Sequence, residues 1–163
     1  MGLISISNSL NSKAMKTTAA QTAKAIRTEL KGARPLNGIK FRVTSSTYAG
    51  GDSVRVSFQD HPDKVDLVNE IADKYQMGNF NGMEDIYEYD TNPDLPQVKF
   101  TFVENTMTES MKDALAEYIQ KHYGIEKDQD QECMDRFHCW YNQLQYRVYR
   151  DEEFHKYVSH ETK

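Results

Sequence analysis

The chain is short of cysteine and of long apolar runs, the features that mark disulfide-built secreted proteins and membrane-spanning ones. Its two cysteines, Cys133 and Cys139, are too few for a disulfide framework and fit a reducing compartment. Six residues apart on one expected helix, they would lie about 9 Å apart along its axis, beyond bridging distance. No run approaches the roughly 18 apolar residues that cross a membrane. The start, Met1-Gly2-Leu3-Ile4-Ser5-Ile6-Ser7, lacks the basic leader and long apolar stretch of a secretory signal. Ile6 stands where the N-myristoylation pattern wants Ser or Thr. These absences predict a cytoplasmic protein with no membrane partner.

Catalytic and cofactor motifs are equally scarce. Cys133, His138 and Cys139 fall at i, i+5 and i+6, a poor spacing for tetrahedral zinc, and there is no second cysteine pair. No acidic segment has the alternating oxygen ligands, central Gly and terminal Glu of a calcium loop. A Gly-x-Ser-x-Gly elbow is missing, and His138 and Cys139 are neighbours that point about 100° apart on a helix. The loops Ala49-Gly50-Gly51-Asp52 and Gly78-Asn79-Phe80-Asn81-Gly82 lack the lysine of a phosphate-binding loop. The sequence therefore predicts a non-enzyme without metal or cofactor.

What is present is a polar but foldable composition. Ten Tyr and seven Phe in 163 residues argue against disorder and for one core of ordinary size. The net charge of −5 is unevenly spread. Residues 1–45 carry eight basic side chains against Glu29 alone, a balance of +7, so the remainder carries −12. Such a split points to a dipolar surface and a charged partner.

Residues 1–12 are rich in Ser and Asn and are expected to form a flexible arm. From Lys13 to about Lys31 helix formers dominate, and Ala19, Ala23, Ile26 and Leu30 share one helical face. Gly32 and Pro35 end that helix. Ile39 to Thr44 and Val54 to Phe58 then alternate apolar with polar residues across a Gly50-Gly51 turn, which predicts a hairpin with one buried and one basic face. Pro62 opens a second helix with Val65, Val68, Ile71, Ala72 and Tyr75 on its apolar stripe. Residues 78–83 read as a glycine-punctuated loop, and residues 84–90 as either a short strand or an ordered acidic segment. Gln97 to Val103 reads as a further strand with Val98, Phe100 and Phe102 inward. A helix follows, capped by Thr106 with Glu109 or by its rival Thr108, carrying Met111, Leu115, Tyr118 and Ile119, and stopping at Gly124. After a charged linker, one long aromatic-rich helix is expected from Cys133 to Tyr157.

The fold class is α+β. The expected order is α-β-β-α-(β)-β-α-α: a small antiparallel sheet of three strands, or four if residues 84–90 join it, with helices packed on one face. Residues 13–124 form the domain, and residues 125–163 add the acidic linker and the long helix packed on it.

Four ordered segments carry a family likeness: Lys24-Ala25-Ile26-Arg27-Thr28-Glu29-Leu30-Lys31, Ile39-Lys40-Phe41-Arg42-Val43, Tyr48-Ala49-Gly50-Gly51-Asp52-Ser53-Val54-Arg55-Val56-Ser57, and the run from Lys74 through Gly78-Asn79-Phe80-Asn81-Gly82 to Tyr89. Together, over residues 22–104 and more loosely to Gly124, they resemble a large polyvalent protein-associated domain family, the twenty-ninth type. The resemblance implies a phage or mobile-element setting, in very large proteins thought to enter a new host with the DNA and blunt its defences. It implies no catalytic motif. The function expected by that analogy is binding and inhibition of a host defence protein, of anti-CRISPR or anti-restriction type, in the bacterial cytoplasm.

The candidate partner-binding residues are Tyr48 and Asp52 at the hairpin tip, Arg42 and Arg55 on its outer face, and Trp140, Tyr146 and Tyr149 on the last helix. Tyr, Trp and Arg are the side chains that dominate interface energetics. The chain would act as a monomer or, through the aromatic helix, as a homodimer. Acidic side chains such as Glu84, Asp85, Glu88, Asp128 and Asp130 are either ordinary surface or a phosphate-backbone mimic. The alternative function is nucleic-acid binding by Lys24, Arg27, Lys31, Lys40 and Arg42, which would follow phosphates and weaken steeply with salt.

Overall fold

The computed structural model describes residues 18–161; the expected arm over residues 1–12 and the predicted helix start at Lys13 lie outside them. The first helix, α1 (Ala19–Gly32), begins at Thr18, whose side chain accepts from the Gln21 N–H while the Gln21 side chain accepts from the Thr18 N–H. This reciprocal box satisfies two otherwise orphaned donors. Its stripe of Ala19, Ala23, Ile26 and Leu30 is buried, as its spacing predicts.

Next comes the hairpin of β1 (Arg42–Tyr48) and β2 (Gly51–Gln59), in antiparallel register from Arg42 opposite Ser57 to Tyr48 opposite Gly51. Gly50 supplies the positive φ of 99° that the two-residue turn needs. A 3₁₀ turn at Pro62–Lys64 leads into α2 (Val65–Asp73), which buries Val68, Ile71 and Ala72. The chain then makes a second hairpin, β3 (Gly78–Asn81) with β4 (Ile86–Tyr89), before β5 (Phe100–Thr106). Helices α3 (Glu109–Tyr123), α4 (Asp130–Phe137), α5 (Tyr141–Tyr149) and α6 (Glu152–Glu161) complete the described chain.

The class is α+β, and several details depart from expectation. The main sheet has three strands in the order β1-β2-β5, and β5 joins β2 in parallel, not antiparallel. The reason is topological: α2 and the second hairpin carry the chain back across the sheet, and a crossover delivers a parallel strand. Residues 78–81, read as loop, form a strand; residues 86–89 pair with them in a separate two-stranded sheet and add no fourth strand to the first.

β5 also presents the opposite face. Val98 is fully buried and makes an isolated bridge with Gln76, and the chain bends at Lys99. After the bend the half-buried residues that turn toward the core are Thr101, Val103 and Asn105, while Phe102 is 45% exposed. A one-residue slip in a period-two element exchanges its faces, so the inward assignment of Phe100 and Phe102 does not hold.

Thr108, not Thr106, caps α3, its hydroxyl accepting from the Met111 N–H at 3.3 Å. Gly124 stops the helix with φ 66°. The long C-terminal helix is three helices. His138 takes the left-handed conformation at φ 52° and ends α4, the Trp140 N–H is capped by Gln143 at the start of α5, and a second break at Arg150 and Asp151 precedes α6. Cys139 therefore lies beyond a break, and the straight-helix separation from Cys133 does not apply. Both cysteines are buried and free, and the Cys133 thiol is pushed up by burial and then by the neighbouring Cys139.

Two clusters of buried side chains result. One joins α1 and α2 to the sheet through Ile26, Leu30, Val54, Val56, Phe58 and Val68. Each such side chain contributes about 1.5–3 kcal/mol of burial free energy. The second unites α3 with α4–α6 through Leu115, Ile119, Cys133, Leu144, Val148 and Phe154. At their junction Asp60 accepts from both the N–H and the hydroxyl of Thr108, at 2.9 and 2.7 Å, and the Tyr149 hydroxyl donates to Asn105 at 2.7 Å.

Candidate functional site

Because Val54, Val56 and Phe58 point into the core, Ser53, Arg55 and Ser57 must point away from it. The register then writes out the opposite face of the sheet row by row. Arg42, Ser57 and Glu104 are neighbours; so are Thr44, Arg55 and Phe102; so are Ser46, Ser53 and Phe100. α1 and α2 pack on the core side, leaving Thr44, Ser46, Arg55, Phe102 and Glu104 exposed on this one.

The face carries rings and cations in contact. Phe100 and Phe102 stack with centroids 6.3 Å apart, and Tyr87 of β4 meets Phe100 edge-on at 5.7 Å. The Arg55 guanidinium sits 5.4 Å from the Phe102 centroid and pairs with Glu104 at 3.4 Å. Lys99 places its ammonium 5.2 Å from the Tyr87 ring and 5.5 Å from that of Phe100, and donates to the Gly50 carbonyl at 3.1 Å. Cations over ring faces are attracted by about 0.5–1 kcal/mol at exposed sites. They also hold long side chains in place over the rings.

The second hairpin frames one edge of this surface. The Tyr87 hydroxyl lies within hydrogen-bonding reach of the carbonyls of Gly78 and Lys99, locking β4 to the entry of β5. Burial, then the nearby Tyr89 and Asp52, raise the Tyr87 pKa above its ordinary value, so it stays a neutral donor. Beyond it Phe80, Met83, Ile86 and Tyr89 are exposed. Gln76 supports the same corner by accepting from the Thr101 N–H at 2.8 Å.

The residues named from sequence divide in three. Arg42, Tyr48 and Arg55 stand on the open face or at its tip, with Tyr48 exposed beside Gly51. Asp52 has a positioning role, accepting from the Lys99 N–H at 2.8 Å and tying the tip to the approach of β5. Trp140 and Tyr146 are exposed on the C-terminal helices, Tyr146 under the Arg150 guanidinium at 5.8 Å. Tyr149 is only 3% exposed, so its assignment to partner binding is corrected: it is a core residue whose hydroxyl is spent on Asn105.

The basic set of the alternative reading does not gather on one surface. Lys24 lines a groove beside Glu29 and Tyr75, and Lys31 is exposed in the last turn of α1, the layer opposite the open face. Arg27 reaches the Val43 carbonyl, and Lys40 is exposed in the segment before β1. Only Arg42 of that set stands on the sheet's outer face.

Sequence reasoning missed Phe100, Phe102, Tyr87 and Lys99 as surface-forming residues. The run Val98-Lys99-Phe100-Thr101-Phe102-Val103 contains two overlapping alternations, and Val103 directly after Phe102 is the one hint that the faces exchange. Among the described residues, no group of three or more His, Cys, Asp or Glu is placed to hold a metal, and no helix is long and apolar enough to cross a membrane.

A family model described as large polyvalent protein associated domain 29 matches residues 17–147. No curated protein and no solved structure matches the chain.

Proposed function

This chain belongs to the large polyvalent protein associated domain 29 family, and from that premise we propose that it is a non-catalytic protein of a phage or mobile element that binds a host protein through the open face of its sheet. The observation that carries the reading is the row of exposed Phe102 and half-buried Phe100 and Tyr87, with Arg55 and Lys99 set over the rings. Aromatic side chains and arginine, held rigid before contact, supply most of the energy of protein interfaces. An exposed ring rimmed by polar and charged side chains on a sheet face that no helix covers makes that face a candidate contact surface. The finer reading is inhibition of a host defence factor of anti-CRISPR or anti-restriction type, which rests on the family setting.

Nucleic acid is the second reading, since rings on a sheet also stack bases. Against it stand Glu104 on the face itself and the exposed Glu84, Asp85, Glu88 and Asp90 on the bordering hairpin. Those carboxylates repel a phosphate backbone.

The test is affinity capture from bacterial lysate with the tagged protein and with a Phe102→Ala/Arg55→Ala variant, with and without nuclease. Support is a stoichiometric host defence protein that survives nuclease and moderate salt, is lost in the variant, and re-forms the complex from purified parts. Recovery of nucleic acid instead, with proteins lost after nuclease, overturns it.

A further inference from the structure

The free edge of the main sheet is a second surface, separate from its open face. β1 is the terminal strand of the order β1-β2-β5, so among the described residues nothing pairs with its outer side. Tyr48 and Gly51 flank the two-residue turn, whose bond runs from the Gly51 N–H to the Tyr48 carbonyl. Bonded and non-bonded pairs alternate along an antiparallel ladder. Tyr48, Ser46, Thr44 and Arg42 therefore spend their N–H and C=O groups on β2, while Val43, Ser45 and Thr47 aim theirs outward. The Val43 carbonyl is covered, accepting from the Arg27 guanidinium of α1. Protection stops there. Among the described residues no hydrogen bond reaches the outward groups of Ser45 or Thr47, and Thr44 to Tyr48 are all exposed.

An open edge is a template for another strand, and proteins ordinarily blunt it with charge, proline or a bulge. The run Val43-Thr44-Ser45-Ser46-Thr47-Tyr48 has none of these, and its register with β2 is unbroken. At the other edge of the sheet, by contrast, Gln76 takes the Thr101 N–H of β5 at 2.8 Å. The free groups of β1 also complement themselves. Two copies laid antiparallel about a twofold axis at Ser46 set Ser45 opposite Thr47 of the second copy, and Thr47 opposite Ser45 of the second copy. The outward N–H and C=O groups of these residues then close four bonds, and the Val43 carbonyl stays with Arg27. Thr44 meets Tyr48 of the second copy, covering a ring that is 47% exposed. Arg42 faces Gly50 of the second copy, so no like charges stand opposed.

We propose that the chain forms a twofold dimer through this edge, making one six-stranded sheet in the order β5-β2-β1-β1-β2-β5. Directly paired residues of antiparallel strands share a face. The open faces of both copies therefore lie on the same side, their Phe102 side chains about 24 Å apart across the strands at about 4.8 Å per strand. That a partner meets both faces at once rests on the protein-binding reading. The dimer itself does not, because it uses the strand edge and not the rings.

The test is sedimentation equilibrium of the full chain, with no partner present, from about 1 µM to about 1 mM. The expected result is a mass that rises from one chain to two. Thr47→Pro removes an edge N–H that is unbonded in the monomer, so circular dichroism should stay unchanged while self-association weakens at least about tenfold. Ser46→Lys and Ser46→Glu each set like charges face to face across the axis and should weaken it about fivefold at low salt. Mixing the two variants should restore it as a heterodimer. A single-chain mass throughout, wild-type association of Thr47→Pro or of the charge variants, or no recovery in the mixture overturns the proposal. So does a monomer whose Ser45 and Thr47 amides resist hydrogen exchange until residues 1–12 are removed, which assigns the edge to the start of the same chain.

Discussion

Replacing Gly78 with Ala should detach the second hairpin from the sheet and abolish partner capture while leaving the main core folded. A Cβ at Gly78 would stand 2.0 Å from the Glu88 carbonyl oxygen, 2.8 Å from a Tyr87 ring carbon and 2.8 Å from the Tyr89 Cα. A carbon and a carbonyl oxygen settle at about 3.3 Å, so β3 and β4 must separate by more than about 1 Å. Two of those three neighbours are backbone and cannot swing aside. The separation takes away the Tyr87 hydroxyl bond, roughly 1 kcal/mol, the edge-to-face contact of Tyr87 with Phe100, about 0.5–1.5 kcal/mol, and a ladder bond of roughly 1 kcal/mol. The expected loss is about 2–4 kcal/mol, more than an isolated two-stranded hairpin holds. Amide hydrogen exchange reads this directly: Asn79–Asn81 and Ile86–Tyr89 should lose protection, while Val54, Val56 and Val68 keep theirs. Gly82→Ala is the control, because nothing lies within 4 Å of its added Cβ; it should change stability by less than about 0.5 kcal/mol. Wild-type protection of the β3 and β4 amides in the Gly78 variant would refute the reasoning.

Two further variants test the packing that presents the open face. Glu29 links α1 to the end of α2, accepting from Lys74 at 2.6 Å and from the Tyr75 hydroxyl at 2.8 Å. Burial raises its pKa, but those two hydrogen bonds and the lysine charge more than offset this and leave it below 4.5, while burial and Glu29 push Tyr75 up to about 12. A depressed folded pKa adds stability above the unfolded value that is lost as pH falls through the folded one. Glu29→Gln should therefore cost about 1 kcal/mol at neutral pH, and urea midpoints of the two proteins should converge below pH 4.5; an unchanged gap at pH 3 would contradict the assignment. Tyr149→Phe leaves the Asn105 side chain, whose amide nitrogen already lacks a partner, without its remaining bond. It should cost about 1–2 kcal/mol by urea unfolding without changing partner capture, and a selective loss of capture would restore Tyr149 to the interface.

Much of the fold was legible because its signals are local. The stripe of Ala19, Ala23, Ile26 and Leu30, the stop at Gly124 and the turn at Gly50 each follow from spacing or from the φ a residue allows. Alternation placed Arg42 and Arg55 on the outer face of the first hairpin, and the register agrees. The family likeness was also carried by short ordered segments, and the match over residues 17–147 bears it out.

The rest was decided by tertiary structure. Val98, Phe100 and Phe102 alternate as well as Lys99, Thr101 and Val103 do, and only the bend at Lys99, with Val98 bonded beside Tyr75 and Met77, sets which residues turn inward. The aromatic run after Cys133 has one helical period, yet His138 in a left-handed turn folds it back so that Cys139, Leu144 and Phe154 share a core with α3. Periodicity is a property of neighbours along the chain, so the amino-acid order determined which residues share a face only within an unbroken element, and the breaks at Lys99 and His138 were set by packing. Which face meets the core, and which is left open, depends on what packs against it from tens of residues away.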